Sequence, residues 1–204
     1  MGLARRFAEQ LAHPQGAGGL LLGGAMDIAN RKPTRLAVDL LDPQDGERIL
    51  DAGCGTGAAL AAMLRRARCA VTGVDPSDTM LASARRRLGA RAELVRARLQ
   101  ELPLDDGTFD AALLLNVLYF CDSESHMVAN LRRVLKPGGR LVVYVTHRDT
   151  MQAWPFAHEG LHRLFDAKDL TDALVRGGFA RERICVHEIA VTRSVSGLLA
   201  YAAN

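Results

Sequence analysis

The run RILDAGCGTGAAL, residues 48–60, joins an apolar, strand-like stretch to a helix-like one through closely spaced glycines. Asp51 follows the apolar residues, and Gly53, Gly55 and Gly57 come directly after it. Because glycine has no Cβ, the chain can turn sharply here, and a ligand can lie against main-chain N–H groups at a helix N-terminus. The run therefore predicts a strand, a tight turn and a helix that together hold a nucleotide-like cofactor.

A second acidic residue narrows the choice of cofactor. Asp75 ends another apolar run and lies 22 positions after Gly53. A carboxylate at this spacing can accept hydrogen bonds from both hydroxyls of a ribose, which predicts an adenosine-containing cofactor. The alternative is an aspartate that caps the following helix. Gly53, Gly55 and Ala58 also satisfy the loose glycine pattern of nicotinamide binding, so the cofactor stays open at this point.

From residue 48 onward, short β-rich runs alternate with longer helical periods. This alternation predicts a parallel sheet with helices on both faces. The last two strands are separated only by VTRSVS, residues 191–196, which leaves no room for a crossover helix, so they must pair antiparallel. Strands are predicted at 48–51, 70–75, 93–98, 109–115, 140–146, 184–190 and 196–201, and helices at 3–12, 34–41, 57–66, 77–88, 124–135 and 167–177.

Composition limits the class of protein. The 204 residues are 49% apolar and 24% charged, with a net charge of +3, as expected for one folded domain with a core. Arginines alternate with apolar helix positions and are not interleaved with aromatic residues, so no nucleic-acid partner is predicted. The four cysteines are far apart, which predicts reduced thiols in a cytoplasmic protein and no metal site. Apolar runs are too short to span a membrane.

The N-terminal segment is predicted to cover the site. Leu3, Phe7 and Leu11 fall on one helical face, and a glycine-rich stretch follows them. We therefore divide the chain into a helical lid or cap, residues 1–44, and a catalytic domain, residues 45–204. A helix that lies on a membrane surface is the alternative for this segment.

Four segments now occur in a fixed order, and together the chain resembles the class I S-adenosylmethionine-dependent methyltransferases. ILDAGCGTG, residues 49–57, is similar to their cofactor loop, and GVDPSDTML, residues 73–81, to their ribose-binding segment. LPLDDGTFD, residues 102–110, looks like the turn before their fourth strand. LRRVLKPGGRLVV, residues 131–143, looks like their helix-turn-strand signature. The resemblance covers about residue 35 to the C-terminus.

The resemblance implies a Rossmann-like seven-stranded sheet, mostly parallel with the last strand antiparallel, and S-adenosyl-L-methionine as cofactor with S-adenosyl-L-homocysteine as product. Asp51 and Gly53 would face the methionine end, Asp75 the ribose and Met80 the adenine. The implied cofactor contacts are Asp51, Ala52, Gly53, Gly55, Asp75, Pro76, Met80, Arg98, Leu99 and Asn116. Arg98 departs from the family, which usually has an acidic residue there, and a guanidinium cannot accept a bond from the adenine amino group.

The acceptor is predicted to be a small molecule or a lipid headgroup. NVLYF, residues 116–120, does not match (D/N)-P-P-(Y/F/W), the tetrapeptide of enzymes that methylate amino groups of DNA or glutamine side chains of proteins. If the acceptor has to lose a proton, the candidate bases are Tyr119, His147 and His158. The aromatic segment at residues 147–165 is either an acceptor-pocket wall or a small satellite core.

Three other functions stay open at this stage. One is a phospholipid-headgroup or quinone methyltransferase at a membrane surface, and another is a non-catalytic S-adenosylmethionine-binding protein. The third is a nicotinamide oxidoreductase. It is disfavoured because Lys32, Lys136 and Lys168 occur in no motif that would supply a catalytic acid.

Overall fold

The computed structural model describes residues 24–159 and 162–204. Within these ranges, residues 24–29 are helical and precede α1. The strands are β1 (Arg48–Ala52), β2 (Ala70–Asp75), β3 (Ala92–Arg96), β4 (Phe109–Leu115), β5 (Leu135–Thr146), β6 (Ile184–Ala190) and β7 (Ser196–Ala203). The α-helices are α1 (Arg31–Leu41), α2 (Ala58–Arg66), α3 (Asp78–Leu88), α4 (His126–Val134), α5 (Arg148–Gln152) and α6 (Ala167–Arg176).

The strands form one seven-stranded sheet in the order β3-β2-β1-β4-β5-β7-β6. Neighbouring strands are parallel from β3 to β5, whereas β7 is antiparallel to both β5 and β6. The predicted sheet with its reversed last strand is therefore confirmed. β5 begins five residues earlier than predicted, because Leu135 already pairs with Phe109 before a register shift.

Alternation along the central strands separates two apolar layers. On β4, Ala111 and Leu113 pack with α1, α2 and α3, while Ala112 and Leu114 pack with α4 and α6. A strand buried on both faces is typical of a parallel sheet covered by helices. Among the described residues, no helix is long and apolar enough to cross a membrane.

Helix α1 is part of the main core. Its Ala37, Val38 and Leu41 are buried in the same layer as α2 and α3. The Arg140 side chain on β5 donates to the Leu41 carbonyl at 2.6 Å and forms two hydrogen bonds with Glu47. The predicted boundary between residues 44 and 45 stays a prediction, and the predicted lid helix at residues 3–12 lies outside the described residues.

The order of the strands brings the site together. β1 and β4 are neighbours, and from them the chain winds in opposite directions across the sheet. In open parallel sheets, ligands bind beyond the carboxyl ends of the strands at such a switch point. The turn after β1 and Asn116 after β4 lie at this position.

A polar network fastens the segment before α1 to the glycine loop. The Thr56 hydroxyl hydrogen-bonds to the Asp27 carboxylate at 2.7 Å, and Arg87 on α3 donates to both Asp27 and Thr56. The Asp27 side chain is 24% exposed and that of Arg87 36%. We call these three residues the clasp. It ties three separate parts of the chain to one point.

The clasp yields a testable prediction about stability. In a double-mutant cycle of Asp27→Ala and Arg87→Ala, the coupling free energy of urea unfolding should be at least about 0.5 kcal/mol, because the pair is half-shielded and shares Thr56. The pair Asp78 and Arg96, with side chains 71% and 66% exposed, is the matched control and should couple more weakly. Equal coupling in the two pairs would contradict the prediction.

Candidate cofactor and acceptor site

The glycine loop uses its own N–H groups to hold its shape. Gly53 and Cys54 both donate to the Val74 carbonyl, at 2.7 and 3.0 Å, and Gly55 donates to Asp75 Oδ2 at 3.0 Å. Gly57 donates to the Cys54 carbonyl at 2.9 Å. The sequence-based expectation that a ligand would lie against N–H groups here is corrected for these four positions, because each N–H already has a partner within the protein.

Gly53 is required by close approach. Its φ is +79°, a conformation that residues with a Cβ rarely adopt, and an added Cβ would lie 2.3 Å from Val117 Cγ2. The turn after β1 therefore packs directly against the segment after β4. Gly53 and Val117 also line a common space at the ends of the two strands.

This space is a first cavity of about 200 Å³. Seven of the ten predicted cofactor residues line it: Asp51, Gly53, Gly55, Asp75, Pro76, Met80 and Asn116. Arg98 and Leu99 line an adjoining cavity of about 880 Å³, which shares Gly53, Pro76, Val117 and Phe120 with the first. Ala52 lines neither and is buried in the core layer of α4 and α6.

Asp51 is a buried carboxylate without a full set of partners. It is 2% exposed, and its Oδ2 has no hydrogen-bond partner among the described residues. Burial, together with the nearby charge of Asp75, raises the pKa of Asp51 to about 7. An unpaired buried carboxyl at the wall of a cavity is well suited to a ligand that carries a cationic or hydrogen-bond-donating group.

Asp75 lies at the end of β2 with both oxygens already engaged. Its Oδ2 accepts from Gly55 N, and its Oδ1 accepts from Ser77 N at 2.8 Å. Burial raises the pKa of Asp75, and these two N–H bonds oppose that rise. Helix α3 is capped by Ser77, whose hydroxyl accepts from Met80 N, so helix capping does not account for Asp75. Each carboxylate oxygen keeps a second lone pair for a hydroxyl donor.

A second cavity of about 340 Å³ adjoins the first, and we call it the aromatic cavity. Its walls are mainly rings and apolar side chains, with Trp154, Phe156, Phe120 and His162 along one side. Within residues 24–159 and 162–204, the buried Nδ1 of His162 has no hydrogen-bond partner, and burial lowers the pKa of this imidazole. Residues 147–165, predicted as either pocket wall or satellite core, thus contribute to a cavity wall.

A chain of hydrogen bonds lies where the two cavities adjoin. The Asn116 amide donates to Asn30 Oδ1 at 2.9 Å, and its own Oδ1 accepts from the Tyr119 hydroxyl at 2.9 Å. The Tyr119 oxygen in turn accepts from Thr146 N at 2.5 Å. Asn116 has a φ of +59°, a left-handed conformation that asparagine tolerates better than most residues. Asn30 and Asn116, with Met26 and Phe120, line both cavities.

The three candidate bases have different surroundings. Tyr119 lines the aromatic cavity, but its hydroxyl is bonded on both sides, and burial raises its pKa. His147 caps α5 by accepting from Asp149 N at 3.2 Å, and it lines neither cavity. The side chain of His158 lies outside the described part of the structure.

Several residues at the site carry no sequence signal. Met26, Asp27 and Asn30 come from a segment without any motif, yet all three line the first cavity. For His162, by contrast, the sequence did offer a signal, because it lies in the aromatic segment at residues 147–165 that was predicted to form a pocket wall or a satellite core. Within residues 24–159 and 162–204, no group of three or more His, Cys, Asp or Glu side chains is arranged to hold a metal ion.

Comparison with known proteins identifies the domain. Residues 50–143 match the family model described as a methyltransferase domain. The chain is 35% identical over 162 residues to a malonyl-[acyl-carrier protein] O-methyltransferase of Enterobacter lignolyticus, covering 74% of this chain and 64% of that protein. It is 41% identical over 111 residues to a demethylmenaquinone methyltransferase of Tropheryma whipplei, covering 53% of this chain and 46% of that protein.

A solved structure shares the fold. The 1,6-didemethyltoxoflavin-N1-methyltransferase of Burkholderia thailandensis, with 1,6-didemethyltoxoflavin and S-adenosylhomocysteine bound, superposes with a TM-score of 0.68. The identity is 22%, and the match covers 87% of this chain and 79% of that one. The chain spans less than two-thirds of the length of either sequence relative. With the fold, the family model and these relatives in agreement, residues 50–143 form a methyltransferase domain, and the chain has the fold of the S-adenosylmethionine-dependent methyltransferases.

Proposed function

We propose that the protein transfers a methyl group from S-adenosylmethionine to a small-molecule acceptor by in-line displacement. The observation that carries the proposal is the junction of two cavities at the ends of β1 and β4, where Met26, Asn30, Asn116 and Phe120 line both. A methyl donor in the first cavity and a nucleophile in the aromatic cavity would meet at this junction.

The carboxylates support the first cavity as the cofactor site. When bound, S-adenosylmethionine supplies an electrophilic methyl group on a sulfonium. Asp51, with its unpaired Oδ2, would hold the amino group of the methionine end. Asp75 would accept from the ribose hydroxyls through its remaining lone pairs, and Met80, buried beside it, would pack on the adenine. Leu99 and Arg98 would border the adenine from the adjoining cavity.

The chain's contribution to the reaction is orientation and exclusion of water. Correct orientation of two reacting groups can supply about 7–11 kcal/mol of a barrier. In this proposal, Asn116 is held by Asn30 and Tyr119 and orients the groups at the junction. Tyr119 acts as a positioning residue, because its hydroxyl is engaged on both sides and burial raises its pKa.

The N-terminal segment is proposed as the cover of both cavities. Met26 and Asn30 line both of them, and the clasp holds this segment on the glycine loop. In this proposal the part of residues 1–44 that precedes α1 acts as the lid of the catalytic domain, residues 45–204, because α1 itself packs in the core. Action at a membrane surface and cofactor binding without catalysis are the competing functions. The two relatives are named for a malonyl-acyl carrier protein and a demethylmenaquinone.

Turnover is the direct test of the proposal. The protein should bind S-adenosylhomocysteine but not NAD in calorimetry, and it should transfer label from methyl-labelled S-adenosylmethionine to a component of metabolite or lipid extracts. Label that stays in the cofactor, despite binding, would support a non-catalytic binding protein. An NAD isotherm without a response to S-adenosylhomocysteine would refute the methyltransferase function.

Two ligands separate the roles of Asp51 and Asp75. Asp51→Asn should lower affinity for S-adenosylhomocysteine at least about tenfold but leave 5′-methylthioadenosine, which lacks the amino acid, nearly unchanged. Asp75→Ala should lower affinity for both ligands about 10- to 150-fold, because both carry the ribose.

Two controls accompany this experiment. The first control is Asp75→Asn, because its amide oxygen can still accept the hydrogen bond from Gly55 N and so preserve the loop. Circular dichroism of each variant tests whether the protein stays folded. Arg98→Ala should change either affinity by less than about fivefold, because a guanidinium cannot accept from adenine. Loss of 5′-methylthioadenosine binding in Asp51→Asn would show that the assignment of Asp51 is wrong.

The buried carboxyl of Asp51 also predicts a pH dependence of stability. Its pKa is raised to about 7 in the folded protein from an ordinary value of 3.8. Between these values the folded state holds a proton that the unfolded state has lost, so this group lowers stability by about 1.4 kcal/mol per pH unit as pH rises. The cost is complete above about pH 7.

Asp51→Asn removes this titration. Its gain in unfolding free energy over the native sequence, without cofactor, should therefore grow from pH 4 to 7 and level off above. Urea unfolding at several pH values measures this difference. A constant difference across the range would show that Asp51 does not titrate in this window.

A further inference from the structure

We infer that the aromatic cavity selects an uncharged, ring-shaped acceptor, and that Phe156 and Trp154 determine this specificity. The inference rests on the proposed function, since it concerns the acceptor of that same reaction. It is carried by two independent features of the cavity wall, its lack of charge and its arrangement of rings.

The first feature is the charge of the side chains that line the aromatic cavity. Among the described residues that line the aromatic cavity, none is Asp, Glu, Lys or Arg. Its polar groups are two amides, two hydroxyls, one imidazole and the indole N–H of Trp154, and burial lowers the pKa of the imidazole, His162, which favours the neutral ring. A carboxylate or a phosphate would lose its hydration here without gaining a counter-charge from the described lining, which is costly.

The second feature is the sequence of rings. The Trp154 and Phe156 centroids are 5.6 Å apart with an angle of 33° between the ring planes. Phe156 and His162 are also 5.6 Å apart, at 64°, and His162 and Phe120 are 5.2 Å apart, at 52°. The rings thus form a continuous wall, and planar guests pack on such walls by offset stacking or edge-to-face contact.

Two of the polar side chains of this cavity, Asn30 and Asn116, lie towards the cofactor side, whereas Tyr119, Thr146 and His162 line the aromatic cavity alone. Asn30 and Asn116 belong to both cavities, whereas Trp154 and Phe156 belong to the aromatic cavity alone. An acceptor whose ring lies on the aromatic wall would therefore direct a hydroxyl or amine substituent to the junction. This arrangement disfavours a phosphate-bearing lipid headgroup, because no described cation lines the cavity to receive it.

The chain carries its own reporter for the test. Trp154 is the single tryptophan of the sequence, so its fluorescence reports occupancy of the aromatic cavity. The protein, saturated with S-adenosylhomocysteine, is titrated with coumarin, an uncharged planar probe, and with its anionic analogue coumarin-3-carboxylate. We expect saturable quenching by coumarin, at least tenfold weaker binding of the carboxylate, and no response to phosphocholine.

A charge placed in the wall should reverse the preference. Phe156→Arg should weaken coumarin binding at least tenfold and strengthen binding of coumarin-3-carboxylate. Phe156→Leu keeps the wall apolar and is the matched control, which should retain the order of the two probes. His162→Phe keeps the ring and removes the nitrogen atoms, and it should bind coumarin within about threefold of the native sequence.

Failure of this inference can be told apart from failure of the proposed function. S-adenosylhomocysteine binding, measured by calorimetry before each titration, tests the function. Suppose that S-adenosylhomocysteine binds but coumarin does not quench the fluorescence, or that coumarin-3-carboxylate or phosphocholine binds as well as coumarin does. Either result would refute the selection of an uncharged ring, and the methyltransferase function would stand. If S-adenosylhomocysteine does not bind, the proposed function fails first.

Discussion

The whole site depends on how closely the backbone at Gly53 approaches the segment after β4. Because a Cβ at this position would lie 2.3 Å from Val117 Cγ2, no other residue allows the two turns to touch in this way. The Gly53 and Cys54 N–H groups also converge on the Val74 carbonyl, which ties the turn to β2. The carboxyl ends of β1, β2 and β4 thereby lie close together. Each contributes one polar residue to the first cavity: Asp51 from β1, Asp75 from β2 and Asn116 from the position after β4.

The fold could be predicted from the sequence because its signals are local. Apolar runs of strand length, helical periods and the short link before β7 are all read within a few residues. The spacing from Gly53 to Asp75 also foretold that both would line one cavity. By contrast, the pattern of glycines shows where the loop turns but not which acceptor each backbone N–H group has. The N–H groups of Gly53, Cys54, Gly55 and Gly57 all donate to acceptors within the protein.

The contacts of the N-terminal segment could not be predicted for a different reason. Thr56 meets Asp27 across 29 positions of sequence, and Asn116 meets Asn30 across 86. These are polar pairs between a segment without a motif and loops from other parts of the chain, so no periodicity records them. The same holds for Tyr119, which resembled a candidate base until its hydroxyl proved to be bonded to both Asn116 and Thr146 N.

Stability and chemistry oppose each other at the two carboxylates. Asp51 and Asp75 are both buried, burial raises the pKa of each, and the charge of Asp75 adds to the rise at Asp51. A protein selected for stability alone would replace Asp51 by an apolar residue, since its Oδ2 has no partner in the part of the chain that the structure describes. Such a conflict is expected at functional sites, where the missing partner is a ligand. The aromatic cavity differs, because none of the described residues that line it is Asp, Glu, Lys or Arg, although His162 Nδ1 is buried there without a hydrogen-bond partner among those residues. An in-line displacement requires both kinds of environment: a polar site that fixes the charged donor, and beside it a dry apolar wall that leaves the nucleophile unsolvated. Asn116 lies where the two meet, and its amide is held from both sides.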